Sequence, residues 1–373
     1  MSDNSTSRRL RSLDTLRGFD MLFIMGGALF FIKLAEWFPT PFLQMLAEQN
    51  EHVGWNGLSA HDCIFPLFLF IAGISFPFSL SKQRAVGRTE GQIHRKVISR
   101  GLILLFLGFL YNGLLQFNIA EMRWMSVLGR IGLAWMFSAL IFLHTRNAAR
   151  VVWIAVLLMG YYLAMRYVPV DRPADATWMT PAWTLEARVD QLLLPGVLIS
   201  GKGTFDPEGI LSTIPAIATA MMGMLTGVYV RRGGALADGN RKTLVMLAVA
   251  AGLAVAGLIW NEFFPINKKL WSSSFVCVLG AISLSLFALF YYIVDVRGWK
   301  GWTTFFVVIG MNSITIYLLQ KFVSMWNTTN AIFGGVIGLF PECAHGTVES
   351  AAYIATCWLL LYFLYKKKIF LKV

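Results

Sequence analysis

Long apolar runs recur along this chain and are separated by short polar segments. Each run approaches the roughly 20 residues that an α-helix needs to cross a hydrocarbon layer of about 30 Å. In lipid such a run must be helical, because no water is present to satisfy its backbone, and the sequence lacks the short alternating segments of a transmembrane β-barrel. The pattern predicts an all-α, polytopic membrane protein with about ten transmembrane helices. The predicted spans are 16–35, 59–80, 97–117, 125–143, 149–168, 209–230, 244–261, 272–294, 303–325 and 348–365.

Composition and charge support this interpretation. Hydrophobic residues make up 57% of the 373 residues and charged residues 14%, whereas about a quarter of a soluble protein is charged. The net charge of +12 is one that nucleic-acid-binding proteins also carry. However, roughly three times as many Lys and Arg residues fall on the side of the two termini as on the opposite side, which is the positive-inside asymmetry. We therefore expect both termini in the cytoplasm, with the basic excess reflecting topology and anionic lipid rather than nucleic acid.

The predicted organisation is one membrane domain, 1–373, with a cytoplasmic tail at 1–15 and three outer loops at 36–58, 169–208 and 326–347. The first loop contains the amphipathic stretch PFLQMLAEQNEH, which predicts an interfacial helix. The third contains AIFGGVIGLF, which is too short to span and predicts a re-entrant or interfacial helix. No cleavage site follows the polar opening, so the first helix is expected to stay as an anchor. The four cysteines show neither metal-binding nor redox spacing and are interpreted as packing residues.

Polar side chains inside or beside the predicted spans are costly in hydrocarbon, so each needs a physical reason. Most of them fall in the outer half of the membrane although they are far apart in sequence: His52, Asp62, Arg130, Asp206, Glu208, Lys268, Lys269 and Asn312. Their convergence predicts a polar cavity that opens outward. It also brings an imidazole near carboxylates, the groups that general base catalysis uses.

A purely structural role is the alternative for six of these residues. The roles are an interfacial hydrogen bond for His52, a helix N-terminal carboxylate for Asp62, snorkelling for Arg130, a bond between two helices for Asn312, and simple solvation for Lys268 and Lys269. The basic clusters on the inner side are topology signals or phosphate-binding groups. Taken alone, these residues predict only a polytopic protein with an outward polar cavity.

Six motifs follow one another from about residue 9 to residue 320. They are RLRSLDTLRGFDM (9–21), HVGWNGLSAHDCIFPLFLFIAGIS (52–75), VLGRIGLAW (127–135), FDPEGILSTIPAI (205–217), FPINKKLWSSSFV (264–276) and GMNSI (310–314). In this order they resemble the heparan-alpha-glucosaminide N-acetyltransferase family of membrane acetyltransferases. The extra lumenal domain and N-terminal helix of the animal lysosomal members are not seen in this sequence. We therefore expect a bacterial member, multi-pass in the inner (cytoplasmic) membrane, with an organelle as the alternative.

The resemblance implies transfer of an acetyl group from cytosolic acetyl-CoA to the amino group of a glucosamine unit on the outer side. It places the catalytic histidine at His52, which acts either as a general base or as the carrier of the acetyl group. Asp62 or another nearby carboxylate is expected to orient the imidazole. Substrate-binding candidates are Trp55, Asn56, Arg130, Asp206, Glu208 and Asn312, of which Asn56, Asn312 and Arg130 are also candidate donors to the oxyanion. Cofactor-binding candidates are Arg17, Arg95 and Lys268.

Several expectations complete this interpretation. No metal is expected, lipid surrounds the chain, and a homodimer is left open. The stretch MGGALFFIKL (25–34) is not a close match to the animal members, so the acceptor is not fixed. One rival is an acyltransferase for another cell-envelope acceptor, such as a hydroxyl group. A rival of another class is an amino-sugar transporter without chemistry, although the two halves show no convincing repeat.

Overall fold

The structure is a computed structural model that describes residues 10–235 and 237–371. Residues 1–9 of the predicted cytoplasmic tail and Lys372 lie outside the described residues. Within these ranges every regular element is helical. The helices are α1 (Arg11–Leu22), α2 (Ala28–Trp37), α3 (Pro41–Gln49), α4 (Ile64–Ala85), α5 (Glu90–Tyr111), α6 (Val127–His144), α7 (Asn147–Tyr167), α8 (Leu185–Leu193), α9 (Thr213–Arg231), α10 (Gly239–Asn261), α11 (Ser273–Phe290), α12 (Thr303–Met311), α13 (Ser313–Phe322), α14 (Met325–Ile337) and α15 (Glu342–Lys366).

In the described part of the chain, eight helices are long and apolar enough to cross a membrane, or nine if the bent pair α12 and α13 is one span. This confirms a multi-pass, all-helical membrane protein. The third predicted span corresponds to α5, whose first half carries Arg95, Lys96 and Arg100 and is therefore less apolar than the others. The count of ten stays a prediction.

Several helices depart from the predicted spans. The first begins at Arg11 rather than at residue 16, and a π-helical turn, Phe23–Gly27, joins α1 to α2. Within that turn Gly26 has a φ of 118°, a value that a residue with a Cβ rarely adopts. The ninth span is bent by 65° between α12 and α13. Asn312 lies at this break, and the apolar pattern gave no sign of it.

The two short helices predicted in the outer loops are present. The stretch PFLQMLAEQ forms α3, which Thr40 caps through its side chain and in which Pro41 occupies the first turn. The second is α14, which Ser324 caps in the same way. Both are helical because each presents an apolar face of about three turns between capping residues. Their position at the membrane interface stays a prediction.

Backbone contact between α4 and α9 makes the centre of the bundle rigid. A Cβ placed on Gly73 of α4 would lie 2.3 Å from the carbonyl oxygen of Ala220. A Cβ on Gly223 of α9 would lie 2.1 Å from the carbonyl oxygen of Phe70. Small residues at such positions allow helices to approach closely in a membrane. This pair therefore forms a fixed support for the segment that leads into α4.

The connections at one end of the bundle are bonded to one another, and we call this the site end. There the Gly57 N–H donates to the Ile266 carbonyl at 2.8 Å. The Asn112 amide donates to the Arg123 carbonyl, also at 2.8 Å. Loops that are distant in sequence are thus held in one layer, which corresponds to the predicted outer side.

The opposite end of the bundle holds both described ends of the chain. Arg11 Nε donates to Thr303 Oγ1 at 2.6 Å, which ties the start of α1 to the start of α12. Near the end of α15, Trp358 Nε1 donates to the Phe305 carbonyl at 3.1 Å. The two described ends of the chain therefore lie at the same end of the bundle, whereas the sides of the membrane on which the termini lie stay a prediction.

Candidate active site

A histidine–aspartate pair lies at the site end, where the chain enters α4. Nδ1 of His52 is 2.7 Å from Oδ1 of Asp62. The other carboxylate oxygen, Oδ2, accepts hydrogen bonds from Ser59 Oγ at 3.0 Å and from the Ser59 and Val53 N–H groups at 3.3 and 3.4 Å. Asp62 belongs to a single 3-10 turn, His61–Cys63, that precedes α4. The carboxylate therefore stabilises the start of the helix and also holds the imidazole.

The two members of this pair differ sharply in exposure. The side chain of Asp62 is 3% exposed and that of His52 is 54% exposed. Because a carboxylate only accepts hydrogen bonds, the short contact places a proton on Nδ1 of His52. Nε2 then carries the lone pair, and it makes no hydrogen bond within the described residues. His52 thus presents a free imidazole nitrogen to the site end, and Asp62 fixes the orientation of the ring from behind.

Two lysines from the segment between α10 and α11 complete this wall. Lys268 Nζ lies 3.2 Å from Asp62 Oδ1 and 3.1 Å from His52 Nδ1. Burial lowers the pKa of the Lys268 ammonium, and the nearby Asp62 carboxylate opposes this effect. Lys269 Nζ donates to the Gly54 carbonyl at 2.8 Å. Both cations thus brace the segment that carries His52.

The same two segments are joined by Asn56, Asn267 and Trp55. Asn267 Nδ2 donates to Asn56 Oδ1 at 3.2 Å. The indole N–H of Trp55 donates to the Met179 carbonyl at 3.0 Å, which ties the segment to the long loop after α7. The Asn56 side chain is therefore used in structure, whereas the Trp55 side chain also lines the cavity described next.

A cavity of about 430 Å³ lies in front of the imidazole. Its polar lining comprises His52, His61, Asp62, Arg123, Glu208, Lys268 and Lys269, and its aromatic lining comprises Trp55, Phe65, Trp271 and Tyr317. This volume lies in the range of ordinary small-molecule sites, which combine apolar walls with a few placed polar groups. The predicted polar cavity is thus present at the site end.

Arg123 lines the same cavity as the histidine. Its guanidinium makes two bonds of 2.6 Å to the carboxylate of Asp206 and a further bond to Glu208. Burial acts to lower the pKa of Arg123, but the two carboxylates outweigh it and raise that pKa. Asp206 is itself fully buried and does not line the cavity, whereas Glu208 does. Of these two predicted substrate-binding residues, only Glu208 can reach a ligand directly.

Arg130 and Asn312 are placed away from the cavity. Arg130 is fully buried, donates to Ser212 Oγ and the Gly209 carbonyl, and lies over the ring of Trp271, 4.9 Å from the centroid. Snorkelling is therefore wrong for Arg130, because its guanidinium does not reach water. Asn312 is 2% exposed at the α12–α13 break. Direct contact of either side chain with a ligand in this cavity would require rearrangement.

The predicted cofactor residues near the opposite end are not brought together. Arg17 of α1 donates to Asp14 at 3.3 Å and to Ser75 of α4 at 3.2 Å, so it lies inside the bundle. Arg95 lies on an open, mainly apolar groove on α5 with Ile98 and Leu102. The third candidate, Lys268, lies at the site end.

Two residues of the cavity do not follow from the sequence interpretation. In the sequence interpretation, Arg123 counts only toward the charge of an outer connection. A cation so close to a span is nevertheless a natural partner for Asp206 and Glu208. His61 immediately precedes Asp62, and its position next to an intramembrane carboxylate is a signal that could have identified it. Its ring lies edge-on to that of His52, with centroids 4.5 Å apart.

A second, more apolar cavity of about 490 Å³ lies on the other side of the segment 58–64. It is bounded by α1, α3, α4 and α11, and it shares Ile64 with the first cavity. Asp20 lines it, is 2% exposed and has one carboxylate oxygen, Oδ2, without a hydrogen-bond partner. An apolar space thus adjoins the polar site at the depth of the membrane-spanning helices.

Comparison with curated proteins finds similarity along nearly the whole chain. It is 26% identical to the heparan-alpha-glucosaminide N-acetyltransferase of Mus musculus over an alignment 435 residues long. The alignment covers 99% of this chain and 61% of the mouse protein. Identity to the protein of the same name from Homo sapiens is also 26%, over 433 residues that cover 98% of this chain and 60% of the human protein. The chain thus spans about three fifths of the length of these relatives. A scan against family models gave no match.

Proposed function

Because this chain belongs to the heparan-alpha-glucosaminide N-acetyltransferase family, we propose that it transfers the acetyl group of acetyl-CoA to the amino group of glucosamine or of a glucosamine-containing saccharide. The observation that carries the proposal is the His52–Asp62 pair on the wall of the 430 Å³ cavity. It supplies a base with a fixed tautomer where an acceptor has room to bind. We expect the acceptor on the outer side of a bacterial inner membrane.

In the direct route, the neutral amine attacks the thioester carbonyl carbon while Nε2 of His52 takes a proton from the nitrogen. Asp62 keeps the imidazole in this tautomer and stabilises the imidazolium that forms. Collapse of the tetrahedral intermediate breaks the carbon–sulfur bond. The thiolate of CoA leaves and receives the proton from Nε2, so the imidazole returns to its neutral form.

The developing oxyanion needs a donor that faces the cavity. Arg130 and Asn312 are too deeply buried in this conformation. Lys268 is engaged with Asp62, whereas Lys269 donates only to the Gly54 carbonyl among the bonds described. We therefore assign the oxyanion to Lys269. An ammonium aimed at a developing negative charge in a partly dry site contributes strongly to catalysis.

The donor is proposed to approach through the apolar cavity on the other side of residues 58–64. Acetyl-CoA is a long molecule, so its nucleotide can stay near basic groups at the opposite end of the bundle, with Arg17 as the nearest candidate to this path. The pantetheine arm would then lie between α1 and α4. Asp20 offers its unbonded Oδ2 to an amide N–H of that arm.

A second route passes the acetyl group through His52 itself. In that route Nε2 attacks the thioester, CoA leaves, and the acetyl-imidazole then reacts with the amine. Incubation with labelled acetyl-CoA in the absence of acceptor separates the two routes. Label retained on the wild-type protein and absent from His52→Ala supports the two-step route, and label on neither supports direct transfer.

The function is tested with purified protein in detergent, labelled acetyl-CoA and glucosamine. We expect acetylglucosamine from the wild type and none above background from His52→Ala. Folded wild-type protein that binds CoA but gives no acetylglucosamine overturns the glucosamine assignment, and hydroxyl acceptors are then tried. Uptake of labelled glucosamine into vesicles that needs no acetyl-CoA and survives His52→Ala would instead favour a transporter.

A further inference from the structure

A second imidazole, His61, faces the cavity beside His52. Its ring centroid lies 4.5 Å from that of His52, with the ring planes at 66°. Both rings line the same cavity. His61 opens the 3-10 turn that carries Asp62, and α4 follows it directly. Because α4 is packed backbone-to-backbone against α9, the position of His61 is as fixed as that of Asp62.

The nitrogens of His61 do not serve packing. Nδ1 is buried and has no hydrogen-bond partner. An unsatisfied buried nitrogen is destabilising, and a phenylalanine would make the same edge-to-face contact without that penalty. Nε2 makes no described hydrogen bond, and it is not among the buried unpartnered atoms, so it is accessible from the cavity. The imidazole therefore offers a base to a ligand.

The chemistry of an amino acceptor involves two deprotonations in sequence. An ammonium nitrogen loses two protons on its way to an amide. One of them returns to the CoA thiolate by way of His52, and the other must leave the site. His52 must be neutral when the amine attacks, so it cannot still hold the first proton at that moment. A carrier other than His52 would take the first proton and leave His52 ready for the second.

We propose that His61 is this carrier: its Nε2 takes the first proton from the bound ammonium and releases it to the water of the cavity, which leaves a neutral amine for His52. The inference rests on the proposed function and assigns a second catalytic base to it. The proposal concerns acceptors that bind as cations, and a hydroxyl acceptor, which loses only one proton, would not need this step.

Neighbouring charges favour this order of events. His61 lies close enough to His52, Asp62 and Lys268 for their charges to act on it, and Arg123, Glu208 and Lys269 line the same cavity. Two imidazolium rings 4.5 Å apart would repel each other, and Lys268 adds to that repulsion. His61 must therefore lose its proton before His52 gains one. The arrangement permits one proton at a time, which two successive deprotonations require.

The test compares wild type, His61→Phe, His61→Gln and His52→Ala across roughly pH 6.5 to 9 with glucosamine as acceptor. Phenylalanine keeps the ring contact and glutamine keeps polarity, but neither is a base. We expect both His61 variants to lose about 10–100-fold in kcat/KM at the acidic end of this range. They should approach the wild type at the alkaline end, where an amine whose pKa is roughly 8 is already neutral. His52→Ala should stay inactive throughout.

Two results overturn the inference: wild-type activity of both His61 variants at the acidic end, or a loss of equal size at both ends, which would mark a structural role. If one variant does not fold, as judged by its melting temperature, the other decides. An inactive wild type concerns the proposed function instead, so the two failures are distinguishable.

Discussion

The Nδ1 atom of His52 lies 2.7 Å from Oδ1 of Asp62, ten residues farther along the chain. The carboxylate is nearly inaccessible and is held by Ser59 and the Val53 N–H, whereas the imidazole is half exposed. The fixed partner is thus the Asp62 carboxylate, and the exposed partner is the His52 imidazole, which acts as the base. Such an arrangement orients the imidazole without burying the nitrogen that reacts.

We predict that Asp62→Asn lowers kcat by about 10²–10⁴-fold, because the amide can donate to Nδ1 and favour the wrong tautomer. KM for glucosamine should change little, since Asp62 contacts the imidazole and not the acceptor. Steady-state kinetics of the variant measure both parameters. Ser59→Ala is the matched control: it removes one bond to the carboxylate and should cost less than about 10-fold. Equal losses in the two variants would contradict this role of Asp62.

The sequence identified the central pair but not its surroundings. His52 and Asp62 are candidates because polar groups at the edge of an apolar run are costly and therefore informative, and the catalytic role of His52 comes from the family resemblance. Asp206 and Glu208 were expected to bind substrate, yet both carboxylates are bonded to Arg123. The partner of a charge in another loop is set by tertiary structure, and the apolar pattern carries no information about it.

We predict that Arg123→Met destabilises the protein by about 3–5 kcal/mol, because it leaves the fully buried Asp206 without its cation. Thermal unfolding in detergent measures the effect. The double variant Arg123→Met with Asp206→Asn should recover part of the loss, since it removes the uncompensated charge. A double variant that is no more stable than the single one would show that the pair is not coupled.

The helical architecture was more predictable than its irregularities. Apolar length alone located eight or nine of the ten predicted spans, because a spanning segment must be helical whatever its neighbours are. The bend at Asn312 and the π-helical turn at Gly26 depend on what packs around them. A Cβ on Gly26, for example, would lie 3.1 Å from the ring of Tyr353 on α15. Contacts of this kind between distant helices are not encoded in local periodicity.

The two adjacent lysines are predicted to have separable roles. Lys269→Met should lower kcat by about 10²-fold with little change in KM, as expected for loss of an oxyanion donor. Lys268→Met should instead change the pH dependence of kcat/KM, because Lys268 contacts both His52 Nδ1 and Asp62 Oδ1. Each variant serves as the control for the other, since both remove one positive charge from the same wall. If Lys269→Met retains wild-type kcat, the oxyanion assignment is wrong.

Two acidic residues of the loop after α7 predict a pH-dependent stability. Burial raises the pKa of Asp190 to about 6. Burial and the nearby Asp190 raise the pKa of Glu186 well above its usual value, and the Ser212 hydroxyl and Arg130 offset only part of this effect. Because both pKa values are higher in the folded state, that state binds more protons than the unfolded one above about pH 4. Stability is therefore expected to fall as the pH rises from about 4 to 7.

Glu186→Gln isolates this effect, because the amide has nearly the same shape and does not ionise. We expect the variant to unfold at the same temperature as the wild type near about pH 4.5 and at a higher temperature near about pH 7.5. The gain at the higher pH should be measurable as a higher melting temperature, since each unit by which folding raises a pKa corresponds to about 1.4 kcal/mol. Glu51→Gln, an exposed carboxylate of the first outer loop, is the matched control and should follow the wild-type curve.

A Glu186→Gln curve parallel to that of the wild type over the whole pH range would mean that Glu186 does not carry the pH dependence. In that case Asp190 would be the next residue to vary, because its carboxylate accepts the N–H groups of Asp206 and Ile210. Those two bonds favour the ionised form of Asp190 and so oppose the effect of its burial. Asp190→Asn should therefore gain less stability at high pH than Glu186→Gln, because the Glu186 carboxylate accepts no backbone N–H group in the described bonds.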